Sequence, residues 1–344
     1  AEDQADARYV PSKSCPYCFK TTEEQAAENI AKRHAAIRAA TTPLPGSVAY
    51  DNYRPVSVPV TYESQTVLDF LCGILDHIPR EEWLHLLSHG RILNALKLPV
   101  TAEHRVHAGE RYLHLLPAIT EPDVNTDIRI LHEDEAIIVL QKPAPLPLHP
   151  SGRFNRNTLQ SILHTVYHPQ KPRPAHRLDA NTTGLIVFTR TRHFAGMLQP
   201  QFARGEVQKT YLAKVAGHPT TDEFSCDAPI GTEPGEVGNR EVDEVNGLPS
   251  RTEFTVITRN ADGTALVEAR PLTGRTNQIR IHLWELGYPI IGDPVYLPNK
   301  QLGDTQTLAI EAAPLCLHAW RLTFKHPLSK QRVTYETEKP AWAV

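Results

Sequence analysis

The stretch His176-Arg177-Leu178-Asp179-Ala180-Asn181-Thr182-Thr183-Gly184 runs directly into LIVFTR, residues 185–190. The apolar run Leu185 to Phe188 reads as a β-strand, entered from a polar loop that closes on Gly184. Working outward, β-type runs recur at IRILHEDEAIIVLQKP (128–143), TYLAKVAG (210–217), TEFTVIT (252–258), TALVEARPL (264–272), WRLTFKHP (320–327) and VTYETE (333–338). Helical patterns fall near Thr158 to Tyr167, Arg192 to Arg204 and Thr276 to Leu286. Strands outnumber helices and do not alternate with them, which predicts an α+β domain over residues 127–344. Its mixed, mainly antiparallel sheet would carry helices packed on it.

The chain before this domain is organised differently. Pro117 to Asp127 reads as a linker, with Pro117, Pro122, Asp123 and Asn125 as turn residues. Ahead of it, VLDFLCGIL (67–75) and REEWLHLLSHG (80–90) read as two helices, and RILNALKLPV (91–100) and ERYLHLLP (110–117) as two short strands. Residues 61–120 would thus form a small α/β appendage. Residues 1–60 read as a polar arm, punctuated by Pro11, Pro16, Pro43, Pro45 and Pro55, with one solvated surface helix from Thr22 to Ala40.

A length of 344 residues gives a prior of about two domains and excludes a peptide hormone or a disulfide mini-scaffold. With 40% hydrophobic and 22% charged residues, no apolar run approaches the ~20 residues a bilayer span needs, so no membrane partner is expected. Five cysteines, at positions 15, 18, 72, 226 and 316, make no disulfide framework. The opening AEDQADARYV shows no basic flank followed by an apolar stretch, and a reducing, cytoplasmic setting is expected. A formal net charge of −3 requires any nucleic-acid partner to be held by a local basic face.

Such a face is present around the central motif. Between Arg173 and Lys214 stand Arg173, Arg177, Arg190, Arg192, Arg204, Lys209 and Lys214 against Asp179 and Glu206, the bias that phosphate contacts require. The small appendage lacks it, with five basic residues against seven acidic between Thr61 and Thr120. Its order of two helices and two strands resembles the small RNA-binding fold named after a ribosomal protein of the small subunit.

Two segments carry the chemistry. Asp179, set among His176, Arg177, hydroxyl residues and a Gly, suits a pre-positioned anionic nucleophile or base; taken alone, an Asp there also serves as an ordinary turn residue. GRTNQIRIHL (274–283), followed by ELGYPIIGDPVY, places Asn277, Arg280 and Trp284 at i, i+3 and i+7 of a helix, with Ile279, Leu283 and Leu286 on another face. One face would be buried and the other would carry Arg280 to a site.

Together these segments resemble the RluA-type pseudouridine synthases. IRILHEDEAIIVLQKPAPLPLHP is similar to the family's opening motif and HRLDANTTGLIVFTR to its central one. QKTYLAKVAG matches the strand that follows, and RPLTGRTNQIRIHLWELGYPIIGDPVY the third motif. The likeness covers about Asp127 to Glu338.

It implies isomerisation of a uridine within ribosomal or transfer RNA, the former favoured, with no metal or organic cofactor. By the same resemblance Asp179 is the catalytic aspartate, Tyr211 packs on the target base and serves proton transfer, and Arg280 pairs with Asp179 and orients it. Arg275 is a second candidate for that pairing. Arg177 is expected to occupy the space of the extruded nucleotide, with His176 hydrogen-bonding locally. Asn277, Thr183 and Lys209 complete the RNA-facing set. Asn277 replaces the family's usual His, Thr183 its usual Ser, and Pro145 a common Gly. A rival reading is a non-catalytic RNA-binding protein that keeps the fold. Cys15-Pro16-Tyr17-Cys18 separately admits a redox pair or half a zinc site.

Overall fold

The computed structural model describes residues 23–235 and 237–343; Cys15 and Cys18 lie outside them. These residues form two units, one of residues 46–121 and one joining residues 23–45 to 122–343.

The helix α1 (Glu23–Ala40) opens the larger unit. Expected as a solvated arm, it is instead docked: Ile37 is 2% exposed in the main core, and Ile30 packs beside it. The Arg33 guanidinium lies 4.1 Å from the centre of the Tyr167 ring and bonds Glu133, while His34 Nε2 accepts the Ile130 N–H. Two apolar residues seven apart were too sparse to register as an amphipathic stripe.

The smaller unit contains β1 (Tyr50–Ser57), α2 (Val67–Ile74), α3 (Arg80–Ser88), β2 (Ile92–Leu93) and β3 (Arg111–Ile119). Its sheet runs in the order β1-β3-β2. It begins about fifteen residues before the expected boundary, because β1 is a polar strand containing Pro55 and lacks the alternation that marks a half-buried strand. Thr66 caps α2 by accepting the Asp69 N–H, and Trp83, Phe70 and Leu71 fill the core.

The larger unit continues with β4 (Arg129–Glu133), β5 (Ile137–Lys142), α4 (Leu159–Val166), β6 (Arg173–Pro174), β7 (Thr183–Thr189), α5 (Arg192–Ala203), β8 (Gln208–Ala216) and β9 (Glu223–Cys226). It closes with β10 (Thr252–Arg259), β11 (Thr264–Pro271), α6 (Gln278–Glu285), β12 (Tyr296–Leu297), β13 (Gln301–Leu302), β14 (Leu317–Lys325) and β15 (Arg332–Glu336). The main sheet has ten strands, ordered β4-β5-β7-β14-β8-β11-β10-β9, with β15 on β14 and β6 on β7. The pairing of β7 with β14 is parallel and the others are antiparallel, which makes this the mixed, mainly antiparallel sheet that the pattern predicts.

The central strands β5 and β7 are buried on both faces. With a side-chain period of two, Ile138, Leu140, Ile186 and Phe188 join the core under α4, whereas Ile137, Val139, Leu185 and Val187 join the one under α5. Burial of this kind, at roughly 25 cal/mol per Å2 of apolar surface, fixes β7 and hence the loop that leads into it. Among the described residues no helix is long and apolar enough to cross a membrane.

Candidate active site

Asp179 sits in the loop between β6 and β7, where Gly184 allows two backbones to meet. Its φ is +110°, and a Cβ there would lie 2.2 Å from the Ala319 carbonyl oxygen of β14; only a glycine fits. Upstream, the Thr182 N–H closes a turn onto the Asp179 carbonyl at 3.2 Å.

The loop is also tied from below. The fully buried Lys142, at the end of β5, donates to the carbonyls of Pro143, Leu146 and Ala180 at 2.8, 2.9 and 2.9 Å. Burial pushes its pKa down to about 7 and the nearby Asp179 opposes that fall. Asn181 holds the far side, donating to the Gln306 carbonyl and accepting the Leu308 N–H.

The Asp179 carboxylate is 33% exposed and lines two clefts at once. The first, about 300 Å3, is walled by His176, Phe202, Lys209, Tyr211 and the 273–280 segment. The second, about 800 Å3, runs past His149, Arg153, Arg240 and the 304–307 loop. Asp179 Oδ2 accepts from Arg280 NH1 at 3.4 Å, and Oδ1 has no hydrogen-bond partner among the described residues.

Arg280 itself is committed elsewhere. Its Nε and NH2 donate to Asp293 Oδ2 and Oδ1 at 2.8 and 2.7 Å, in a pair almost wholly out of solvent. NH1 also donates to Asn277 Oδ1 at 3.1 Å, and the guanidinium lies 5.0 Å from the Tyr296 ring centre. Burial disfavours the Arg280 charge, but the Asp293 hydrogen bonds and the two carboxylates more than offset it, raising its pKa.

The segment expected to be helical from Thr276 starts at Gln278, with Asn277 outside it at φ 58°. Asn is among the few residues that adopt this left-handed conformation at modest cost. Nor is α6 half-solvated, since every residue from Gln278 to Trp284 is buried. Its polar members survive there because they are partnered. Gln278 accepts from Thr273 and the Arg275 N–H and donates to Arg251 and Thr252. His282 is held by Ser250 and Thr252.

The remaining expected residues divide. Tyr211 presents its ring to the first cleft, and burial together with Asp179 pushes its phenol pKa up, leaving a neutral hydroxyl. His176 stacks on Phe202 at 4.5 Å and accepts the Val187 N–H through Nε2. Desolvation, with Lys209 adding to it, lowers its pKa to about 3, so it is neutral at pH 7. Lys209 donates to the Thr273 carbonyl, and burial brings it down to about 8.

Arg177 is exposed, lines both clefts and has no carboxylate partner among the described residues. Arg275 turns its guanidinium to the Pro249 carbonyl rather than to Asp179. Thr183 lies outside both clefts, its hydroxyl bound to His318 Nδ1 at 2.8 Å. Sequence reasoning missed Asp293, Lys142 and Gln278. The fragment GDPVY was the available signal for the first, a carboxylate in a turn shortly after the arginine it pairs with.

No group of three or more His, Cys, Asp or Glu side chains that could hold a metal occurs among the described residues. The family model described as RNA pseudouridylate synthase matches residues 136–285, a stretch that holds both Asp179 and Arg280. An RNA pseudouridine synthase 7 of Arabidopsis thaliana is 34% identical, over 72% of this chain and 64% of that one. A ribosomal large subunit pseudouridine synthase D of Nitrosomonas europaea is 35% identical, over 70% of this chain and 71% of its own. The structure of human RNA pseudouridylate synthase domain containing 4 superposes with a TM-score of 0.50 at 27% identity, covering 62% of this chain and 89% of that one. The chain belongs to the RluA-type pseudouridine synthase family, and it spans just under two thirds of the plant relative's length.

Proposed function

We propose that this chain isomerises uridine to pseudouridine in structured RNA, with ribosomal RNA favoured over transfer RNA, through Asp179 acting on an extruded nucleotide. The single observation that carries this reading is the Asp179 carboxylate, held at one oxygen by Arg280 and open at the other, where two clefts join. Family membership supports the reaction class, and the large-subunit name of the Nitrosomonas relative supports the preference for ribosomal RNA.

In the isomerisation the N1–C1′ bond breaks, the base turns, and a C5–C1′ bond forms; C5 loses a proton and N1 gains one. Asp179 Oδ1 is the atom available to the sugar or to the C5 proton. In this reading the neutral Tyr211 hydroxyl, at the wall of the first cleft, passes a proton as the base turns. The first cleft, at the low end of the roughly 300–1,000 Å3 of small-ligand sites, accepts one base. The second accommodates the flanking strand. Extruding a base costs a few kcal/mol, and Arg177, exposed at both clefts, fills the vacated space in this reading. Pseudouridine mapping by carbodiimide-primed stops on total RNA from a synthase-deficient host tests the reading. New stops made by the native protein and absent with Asp179→Ala are expected. Binding without stops would instead support a non-catalytic RNA-binding protein.

A further inference from the structure

Arg280 stands between two carboxylates and serves them unequally. One full edge of its guanidinium, Nε with NH2, grips Asp293 at 2.8 and 2.7 Å, while Asp179 receives a single bond from NH1 at 3.4 Å. Edge-on bidentate pairing is the strongest arrangement a guanidinium makes with a carboxylate, so whichever carboxylate occupies that edge fixes where the guanidinium points.

Asp293 is built not to yield. Its side chain has no solvent exposure, and Oδ1 also accepts the N–H groups of Val295 and Tyr296 at 2.9 and 3.0 Å. The turn that delivers it depends on Gly292, at φ 76°, where a Cβ would fall 2.1 Å from the Pro314 carbonyl oxygen. On the other side, Asn277 Oδ1 takes a share of NH1 at 3.1 Å, and its Nδ2 is anchored on the Tyr296 hydroxyl. That hydroxyl in turn donates to the Arg240 carbonyl at 2.6 Å. Arg280 is thereby held back from Asp179 on two sides.

We infer that Asp293 is a positioning residue that rations Arg280. By occupying the bidentate edge it keeps Asp179 oriented by one long hydrogen bond and leaves the outer oxygen of Asp179 unbonded and reactive. The inference rests on the reading of Asp179 as the reacting carboxylate. Without Asp293, the buried guanidinium edge would have to find another acceptor, and Asp179 is the carboxylate within reach. A doubly gripped Asp179 is a poorer nucleophile or base and is displaced toward Arg280.

The test uses the full chain with Asp293→Asn and compares kcat and KM for an RNA transcript with thermal unfolding. The expected result is a fall in kcat of about tenfold to a hundredfold, the scale of a misplaced reacting group, with KM for RNA within about twofold. In a second measurement, Asp179→Asn lowers Tm more in the Asp293→Asn protein than in the native one, because Asp179 has become the main partner of Arg280. An unchanged kcat, or an Asp179→Asn effect on Tm equal in both backgrounds, overturns the inference.

If Asp293→Asn does not fold, Asn277→Ala carries the test. It removes the competing acceptor on NH1 and is expected to lower kcat severalfold, whereas unchanged kcat overturns the inference. The Tm comparison does not depend on activity. Should Asp179→Asn keep full activity, the reading of Asp179 fails, while the partnership of Arg280 with Asp293 is still decided separately.

Discussion

Replacing Gly184 by Ala asks more of the structure than the loss of one hydrogen atom suggests. The residue lies at φ +110°, and the new Cβ would stand 2.2, 2.7 and 2.8 Å from the oxygen, nitrogen and carbonyl carbon of Ala319. Ordinary contact begins near 3.4 Å, and these are backbone atoms of β14 that cannot swing aside, so β7 and β14 must part by about 1 Å. The left-handed backbone costs roughly 1–2 kcal/mol for a residue with a Cβ, and overpacking adds typically 1–3 kcal/mol. A loss of about 2–5 kcal/mol is expected.

The displacement reaches the site by a short route. Gly184 pairs with Lys142 across β5, and Lys142 holds the Ala180 carbonyl next to Asp179. A shift of 1 Å at a reacting group costs on the order of a hundredfold in rate. The assay is urea unfolding, read as a lower midpoint at unchanged slope, together with kcat on a transcript. Gly196→Ala is the control: that glycine lies in α5 with nothing within 4 Å of its added Cβ, so a gain of about 0.5–1 kcal/mol is expected. A Gly184→Ala protein within about 0.5 kcal/mol of native and with unchanged kcat would show that the contact between β7 and β14 at Gly184 does not hold the site.

Two further outcomes are expected. Arg177→Gln removes from both clefts an exposed guanidinium that has no carboxylate partner among the described residues, so the slope of log affinity against log salt for single-stranded RNA should become shallower by about 0.7. An unchanged slope would remove Arg177 from the phosphate-binding set. His318, buried between the Thr183 and Thr337 hydroxyls, is pushed by desolvation down to about 4. An unfolded chain therefore binds a proton there between about pH 6.5 and 4 that the folded chain refuses. This contribution to stability is present above pH 6.5 and lost as pH falls toward 4, with a slope of up to ~1.4 kcal/mol per pH unit. Urea unfolding across that range should show a flatter dependence in His318→Gln than in the native protein.

How much of this was legible in the sequence depends on what kind of signal each feature leaves. The run Leu185 to Phe188 announced a strand because all four residues are buried, two on each core. The motif before it marked Asp179 and Gly184 through local chemistry alone. Arg280 was placed beside Asp179 by family resemblance, and the two are bonded as that resemblance implied. The stronger partner, Asp293, was hidden because a turn at Gly292 delivers it, and turns leave no periodicity from which to read a pairing. Lys142 looked like any strand-end lysine, since nothing nearby in sequence says that three carbonyls will converge on it.

Asn277 was placed on a helix by spacing, yet it precedes that helix in a left-handed conformation, which hydrophobic period cannot distinguish. Thr183 was assigned to the RNA-facing set by its place in the motif, but alternation along β7 turns its hydroxyl to His318. The docking of α1 through Arg33 and His34 depends on partners about a hundred residues away, beyond the reach of any local pattern.

If the isomerisation depends on Asp179, the C5 proton is lost as the C5–C1′ bond forms, and release of tritium from RNA carrying 5-tritiated uridine measures that loss directly. Release by the native protein is expected, and none above background by Asp179→Asn protein that binds the same RNA with unchanged affinity. Release undiminished in Asp179→Asn would contradict that dependence.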